Sequence, residues 1–255
     1  MDMRRNWDRE ETMLAFELYC TIPSGQDTAN NPLIKSLATA IDRTPNSVKL
    51  KLQNFKSYDP SYISDGRVGL SHGSKLDKEI CEEFFDNWDD LVVKTYKIKE
   101  RLGLKTDLTV DSDDAEYTFV ARDVLAMSRQ RIGQSFFRRT LLASYSNMCC
   151  ITGINHPLLL RASHIKPWAM SNDINEKANP QNGILLNSLH DVAFDKGLIT
   201  ITPSYKIIVS SQLPFEESWN ADFFAKYNGV EIRKPNRFLP AKEFVEYHND
   251  VIFKG

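Results

Sequence analysis

Long apolar runs, histidines and closely spaced cysteine pairs are scarce in this 255-residue chain, which contains five histidines and four cysteines. No stretch of about 18 uncharged apolar residues occurs, which argues against an ordinary transmembrane helix. Residues 1–12 lack the apolar segment of a secretion signal, so we expect a cytoplasmic protein. The cysteines include no CxxC spacing and therefore predict neither a disulfide framework nor a four-cysteine zinc site. We expect them to be free, buried thiols.

The charge is unevenly distributed along the chain, although the net charge is only −2. Residues 1–100 carry 14 Lys and Arg against 17 Asp and Glu, whereas residues 119–255 carry 16 against 12. The segment 122–166 has seven basic residues and one acidic residue. Such a cluster is able to bind phosphate, although a solvated helix face explains charge runs more often.

The N-terminal hundred residues predict a helical domain. A helix with an acidic first turn follows Trp7, and two shorter helices begin at Asn31-Pro32 and Thr44-Pro45, where a capping residue precedes a proline. Two short helices joined by a few residues are typical of a helix-turn-helix, a motif whose second helix reads DNA. That helix would expose Asn46, Lys49 and Gln53. Packing without any contact to DNA is the alternative.

Three further elements lead to the second half of the chain. Residues 74–102 read as one long amphipathic helix that closes the first domain, 1–100. Residues 101–118 are acidic and lack helical periodicity, so we interpret them as a linker. Residues 129–145 then form a helix with inward-facing apolar side chains, opening a second domain over 119–255. We expect Ile132, Phe136 or Phe137, Leu141 and Tyr145 to be buried.

The residues from 157 onward change to a strand, loop, strand and helix pattern. "LLLRASHI" predicts a short strand that ends near His164, and "GILLN" predicts a second strand directly after Asn182. The following helix would be capped by Ser188 and ended by Gly197, and it carries His190. "LITITPSYKIIVS" predicts a β-hairpin that serves as scaffold.

The pattern "SHIKPW…NPQNGILLNSLHDVAFDKGLI" closely resembles the HNH endonucleases, also called ββα-metal nucleases, and within them a bacterial restriction and defence subgroup. The resemblance implies an α+β protein, in which a helix-turn-helix-like N-terminal domain precedes a C-terminal ββα-metal HNH nuclease domain. It implies cleavage of DNA in restriction or anti-phage defence. A possible homodimer would provide the two sites that a double-strand cut needs, and no membrane association is expected.

The resemblance also assigns roles to three residues. His164 takes the position of the general base that activates water, and neutral imidazole suits that task near neutral pH. Asn182 takes the position of the residue that bonds to backbone across the loop and orients the base. His190 takes the metal-ligand position on the helix. Since Mg²⁺ keeps several waters and needs few protein ligands, we expect Mg²⁺, with Mn²⁺ as the alternative.

Nucleic-acid contacts are expected from basic side chains around this core. Arg161 and Lys166 flank His164 in sequence and are candidates to hold the scissile phosphate. Arg138 and Arg139 are candidates to contact the DNA backbone, which adds affinity without sequence information.

Two departures from the family pattern keep other functions open. Ser163 stands where many members have a metal-ligating Asp or His, and Phe194 stands where many have His or Asn. These changes favour one alternative, a non-catalytic sequence-specific DNA-binding protein with a degenerate nuclease core. A nuclease that acts on RNA or on modified DNA is the other alternative, because phosphate chemistry does not distinguish these substrates.

Overall fold

The structure, a computed structural model, describes residues 5–64, 73–104, 121–172, 175–214 and 217–255. The chain forms two compact units, one reaching to Thr140 and taking in the segment that ends at Ala178, and the other comprising Leu141–Asn172 and Asn179–Gly255. Most of the predicted linker, 101–118, lies outside the described residues. The boundary between the two units lies within the helix Ala121–Ser144, which follows the predicted linker.

The N-terminal unit is helical, as predicted. Its elements are α1 (Arg9–Thr21), α2 (Pro32–Ala40), α3 (Pro45–Phe55), α4 (Pro60–Ser64), α5 (Lys75–Phe85), α6 (Trp88–Arg101) and the first part of α7 (Ala121–Ser144). Asn31 and Thr44 cap α2 and α3 through their side-chain oxygens, and a proline follows each. These caps satisfy amide hydrogens that the first turn of a helix leaves unpaired, so the predicted starts are confirmed.

The prediction of one long helix over residues 74–102 was wrong. The chain forms α5 and α6 instead, and the break lies at Asp86 and Asn87. Asn87 has an extended φ of −153°, and its amide donates to the carbonyl oxygen of Phe84. The break lets Trp88 pack, fully buried, beside Phe16 of α1, and burial of a large aromatic outweighs one turn of helix propensity.

Charged side chains are buried in this unit together with their partners. Glu17 of α1 is almost fully buried and pairs with Lys99 of α6 and Arg139 of α7. Burial by itself would raise the pKa of Glu17, but the two cations outweigh it and hold the pKa below its usual value. Lys51 of α3 and Asp77 of α5 form a second buried pair. Removing one partner of such a pair is costly because it leaves a charge alone in the interior.

The C-terminal unit contains two small antiparallel sheets and short helices. Its elements are β1 (Leu160–His164), β2 (Gly183–Asn187), α8 (Ser188–Asp195), β3 (Ile199–Ile201), β4 (Ile207–Val209), α9 (Ser218–Phe223) and α10 (Lys242–Tyr247), which continues as a π-helical turn over His248–Ile252. β1 pairs with β2, and β3 pairs with β4. The predicted strand, loop, strand and helix order and the predicted hairpin are confirmed.

The core of this unit includes the inner side chains of both sheets. Every residue of β2 is buried, including Ile184, Leu185 and Leu186. Of the inward residues expected from 129–145, Leu141 and Tyr145 are buried in this unit, whereas Ile132, Phe136 and Phe137 are buried residues of the N-terminal unit. All four cysteines are free and buried, as predicted. In the part of the chain that the structure describes, no helix has the length and apolarity to span a membrane.

The end of α8 is fixed by a glycine in a left-handed conformation. Gly197 has φ of +72°, and a Cβ atom at this position would lie 2.0 Å from the carbonyl oxygen of Ile252. Only glycine tolerates both conditions, so the predicted helix stop is confirmed. The prediction that Ser188 caps α8 was wrong. The cap is Asn187, whose side-chain oxygen accepts from the amide of His190.

A buried histidine joins the C-terminal turn to the rest of this unit. His248 is 1% exposed, its ring stacks on Phe194 at 3.8 Å between centroids, and its Nε2 lies 3.1 Å from the carbonyl oxygen of Phe194. Its Nδ1 lies 2.8 Å from the hydroxyl of Thr200. Burial lowers the pKa of His248 to about 4, because the charged ring is desolvated in this site.

This depressed pKa predicts a pH-dependent stability. The unfolded chain, with a histidine pKa near 6.5, binds more protons than the folded chain between about pH 6.5 and pH 4. We expect the free energy of unfolding to fall by about 2–3 kcal/mol between pH 7.5 and pH 4.5 because of this one group. Urea unfolding at both pH values measures it.

The matched variants are His248→Gln and His156→Gln. His156 is exposed, and its replacement is the control for the loss of one histidine. His248→Gln should make the loss between pH 7.5 and pH 4.5 smaller by the stated amount. An identical loss in the parent protein and His248→Gln would contradict the assignment.

Candidate active site

His164 lies at the end of a strand and next to an aromatic side chain. It is the last residue of β1, and its register partner in β2 is Gly183. Its ring is half-buried and meets the ring of Trp168 edge-on, with the centroids 5.4 Å apart. The strand holds the backbone of His164, while Gly183 opposite it has no side chain to fill the adjacent space. The imidazole extends from a backbone fixed by strand pairing, contacts Trp168 and is partly accessible to solvent.

Asn182 connects both ends of the loop between β1 and β2. It is fully buried, and its Oδ1 accepts from the amide of Lys166 at 2.8 Å while its Nδ2 donates to the carbonyl oxygen of Lys166 at 3.1 Å. Nδ2 also lies 3.2 Å from the hydroxyl of Ser171, and the carbonyl oxygen of Asn182 accepts from the amide of Ile165. The loop contact expected of Asn182 is present, and it fixes the backbone that directly follows His164.

His190 lies on the first turn of α8 and is enclosed. The residue is 2% exposed, its ring is 5.3 Å from the ring of Phe224, and it is 5.6 Å from that of Tyr227. Its Nδ1 lies 3.1 Å from Oδ1 of Asn187, and its Nε2 lies 3.0 Å from the carbonyl oxygen of Phe223. Burial lowers the pKa of His190, and the hydrogen bond with Phe223 opposes that shift.

The residues around His190 do not form a metal site in this conformation. Both ring nitrogens face oxygen atoms of the protein at hydrogen-bonding distance. Within the described residues, no group of three or more His, Cys, Asp or Glu side chains is placed to hold a metal ion. Ser163 is buried, and Phe194 packs against His248. The two positions where the sequence departs from the family pattern are thus part of the core.

The basic residues predicted near the core differ in their contacts. Arg161 is half-buried and donates from Nη1 to the carbonyl oxygens of Leu158 and Leu160, both at 3.3 Å. The Nζ of Lys166 lies 5.4 Å from the centre of the Tyr247 ring. Both side chains belong to the same unit as His164.

The two arginines of α7 lie in the N-terminal unit. Arg138 is half-buried. Arg139 is half-buried too, and its guanidinium pairs with the buried carboxylate of Glu17 at 3.0 Å. This ion pair connects Arg139 with α1 of the same unit.

One face of α3 carries the residues predicted to read DNA. Asn46 is exposed, and Lys49 and Gln53 are half-buried. Leu50, on the same face, is 53% exposed. The opposite face of the helix is buried. The structure therefore brings the three predicted residues together on one outward-facing stripe of a helix.

The sequence interpretation missed Asn187 and Phe223. Asn187 caps α8 and contacts the ring of His190, while its Nδ2 donates to the hydroxyl of Thr152 at 3.0 Å. An Asn directly before a predicted helix is a cap signal that could have been recognised from the sequence. Phe223 contacts His190 through its backbone, 33 residues further along the chain, so no local pattern indicates it.

The segment that contains these site residues is also similar to a known protein family. Residues 149–202 match the HNH endonuclease family. The match includes His164, Asn182 and His190, so it supports an HNH nuclease segment in this chain. It leaves out the whole helical unit before residue 141 as well as α9 and α10. No curated protein matches the chain.

The contacts of Asn182 predict a measurable loss of stability. Asn182→Ala removes three hydrogen bonds from the interior, so the free energy of unfolding should fall by about 2–3 kcal/mol. Urea unfolding measures this loss, and amide hydrogen exchange at Lys166 should become faster. Gln181→Ala is the control, because within the described residues the Gln181 side chain makes one long contact, to the carbonyl oxygen of Leu239 at 3.5 Å. Equal stability of Asn182→Ala and the parent would show that the loop is held by other contacts.

Proposed function

We propose that this protein is a divalent-metal-dependent endonuclease that hydrolyses phosphodiester bonds in DNA. One observation carries the proposal. Within the segment that is similar to HNH endonucleases, a half-buried histidine ends β1, and the loop that follows it is held by a buried asparagine. Hydrolysis of a phosphodiester needs a base that removes a proton from water, and this arrangement provides an oriented imidazole.

His164 acts as the general base in this proposal, and Asn182 acts as a positioning residue. A proton transfer of this kind contributes about 10²- to 10⁴-fold to the rate. Asn182 touches neither the water nor the phosphate. It fixes the backbone at Ile165 and Lys166, and thereby the direction in which the His164 side chain leaves the strand. The imidazole is then in place before the substrate arrives.

The phosphate contacts are assigned to nearby basic side chains. Arg161 and Lys166 belong to β1 and to the loop directly after it, so they are placed to hold the scissile phosphate or a neighbouring one. We extend the proposal to Arg138 as a contact to the DNA backbone. We extend it equally to Arg139, whose guanidinium also pairs with Glu17.

A divalent metal is part of the proposal because HNH nucleases generally use one. We propose Mg²⁺, with Mn²⁺ as the alternative, and His190 as the candidate ligand. In the conformation described, the nitrogens of His190 are occupied, so no step of the reaction is assigned to a metal here.

We propose that α2 and α3 bind DNA as a helix-turn-helix. The outward face of α3 presents Asn46 and Gln53, whose amides suit the edge of adenine, and Lys49, which suits phosphate or guanine. DNA contacts in both units fit a nuclease that selects a sequence with one unit and cuts with the other. Restriction or anti-phage defence in the cytoplasm is the biological role that we propose, with a homodimer as the form that cuts both strands.

A second function is favoured by the contacts of His190. A DNA-binding protein with a degenerate nuclease core would have no use for a free ligand at this position, and each ring nitrogen of His190 lies within 3.1 Å of an oxygen atom of the protein. Ser163 and Phe194, which lie in the core, fit the same function. Cleavage of RNA or of modified DNA remains the third alternative, and the choice of substrate in the experiment separates it from the first.

The nuclease function predicts the effect of removing the base. His164→Ala should lower the rate of nicking of supercoiled DNA at least about 100-fold in Mg²⁺ or Mn²⁺, because the water loses its proton acceptor. His156→Ala replaces an exposed histidine before β1 and should cut as fast as the parent protein. EDTA should abolish cleavage by both active proteins.

The same assay is run on unmodified DNA, methylated DNA and RNA. Cleavage of one substrate alone identifies the class of nucleic acid. If His164→Ala cuts as fast as the parent, His164 is not the base. If no substrate is cut while the protein still retains specific DNA in a gel-shift assay, the DNA-binding alternative is correct.

The DNA contact of α3 predicts a change in salt dependence. Lys49→Ala should weaken DNA binding and reduce the slope of log K against log [salt] by about one, because one fewer counterion is released. Lys75→Ala is the control, since Lys75 is 92% exposed at the start of α5. Fluorescence anisotropy at several salt concentrations measures both slopes. An unchanged slope for Lys49→Ala would remove α3 from the DNA interface.

A further inference from the structure

A leucine lies in the middle of the outward face of α3. The buried apolar residues of this helix, Val48, Leu52 and Phe55, lie together on one side of it. Leu50 lies on the opposite side, since each step along a helix turns the direction of the side chain by about 100°. The residue is 53% exposed, so this large aliphatic side chain lies outside the core of its unit.

Two amide side chains flank Leu50 along this face. Asn46 lies one turn before it and Gln53 lies one turn after it, at the spacings of four and three residues that share a helix face. An amide of this kind forms two hydrogen bonds with the major-groove edge of adenine, whereas an apolar side chain contacts the C5-methyl group of thymine. The order amide, aliphatic, amide therefore matches the groups that A·T base pairs present in the major groove.

The segment that contains α2 and α3 is basic, although the first hundred residues as a whole are acidic. Residues 31–57 contain five Lys and Arg against one Asp. Three of these cations form ion pairs inside the unit, while Lys35 is exposed and Lys49 is half-buried beside the outward face of α3. Positive charge at this surface attracts a phosphate backbone. The charge therefore favours nucleic acid over an apolar protein surface as the partner of this face.

The direction of α3 is fixed by the turn before it and by α1. Asp42 adopts a left-handed conformation with φ of +51°, and the amide of Arg43 donates to the carbonyl oxygen of Ala38 at 2.8 Å. These two features end α2 sharply. The guanidinium of Arg43 then contacts the carboxylate of Glu11 in α1 at 2.7 Å, and both side chains are 8% exposed. Because the turn is held against α1, α3 presents Leu50 in one defined direction.

We propose that Leu50 contacts the C5-methyl group of a pyrimidine in the major groove of DNA, while Asn46 and Gln53 bond to base edges beside it. This inference rests on the proposed function, because it requires α3 to enter the major groove. The methyl group belongs to thymine or to 5-methylcytosine, and the experiment separates these two sources. RNA does not fit this face, since uracil lacks the methyl group and side chains cannot read the deep, narrow major groove of A-form RNA.

The first measurement enriches bound sequences from random DNA duplexes with the full-length protein in EDTA, so that cleavage does not consume the probe. One library contains cytosine, and the other contains 5-methylcytosine in its place. A thymine contacted by Leu50 should be enriched in both libraries, whereas contact with 5-methylcytosine should enrich that base in the second library alone. A bound site that requires neither thymine nor 5-methylcytosine would overturn the proposal.

The second measurement removes the methyl group at the enriched positions, and fluorescence anisotropy in EDTA gives the affinities. At one of these positions, uracil in place of thymine, or cytosine in place of 5-methylcytosine, should weaken binding by the parent about fourfold, because one buried methyl group is lost. Leu50→Ala should bind both duplexes equally well, whereas Leu50→Met keeps an apolar contact and should keep the ratio. Leu102→Ala is the control, since it removes an exposed leucine directly after α6.

The outcomes separate this inference from the proposed function. A methyl preference of about fourfold in the parent that is lost in Leu50→Ala and kept in Leu50→Met supports the contact. If the protein binds a selected site and Lys49→Ala reduces the salt dependence, but the methyl preference is absent or survives in Leu50→Ala, only this inference is overturned. If the parent binds no DNA duplex, the contact and the helix-turn-helix part of the proposed function fail together.

Discussion

The loop between β1 and β2 depends on one buried amide. A loop that leaves a strand in the interior must satisfy its backbone polar groups, because an unpaired buried group costs free energy comparable to a lost hydrogen bond. Asn182 supplies an acceptor and a donor to the same residue, Lys166, and its own carbonyl oxygen accepts from Ile165. Strand pairing holds the His164 backbone, and the contacts of Asn182 hold the residues that directly follow it.

The helical unit shows how charges are accommodated when a helix packs on several neighbours. Glu17 is on α1, which contacts α6, and its charge is balanced by one cation from α6 and one from α7. Lys51 lies on the buried side of α3, where Asp77 compensates it. These pairs do not by themselves make the unit more stable than an apolar core would be. They do require the two charged side chains to lie in contact in the folded state, because either charge alone in the interior would be costly. The outer face of α3 carries Asn46, Lys49 and Gln53 together with the exposed Leu50.

The surroundings of His190 suit two different roles, metal ligand and core residue. Its position on the first turn of α8, beside an acceptor at Nδ1, suits a ligand, whereas its burial under Phe224 and Tyr227 suits a core residue. A metal-ligand role, as in HNH nucleases, would account for the first feature, and a degenerate nuclease core would account for the second.

The sequence by itself determined the helix starts at Asn31-Pro32 and Thr44-Pro45, the order of β1, β2 and α8, and the stop at Gly197. These depend on caps, backbone conformations and alternation, which act over a few residues. Three features were decided only by the tertiary structure. The helix predicted over residues 74–102 is interrupted at Asn87, Arg139 pairs with Glu17, and the carbonyl oxygen of Phe223 lies at hydrogen-bonding distance from Nε2 of His190. Each of these depends on which distant side chains or backbone atoms share one buried place, and local periodicity carries no record of that.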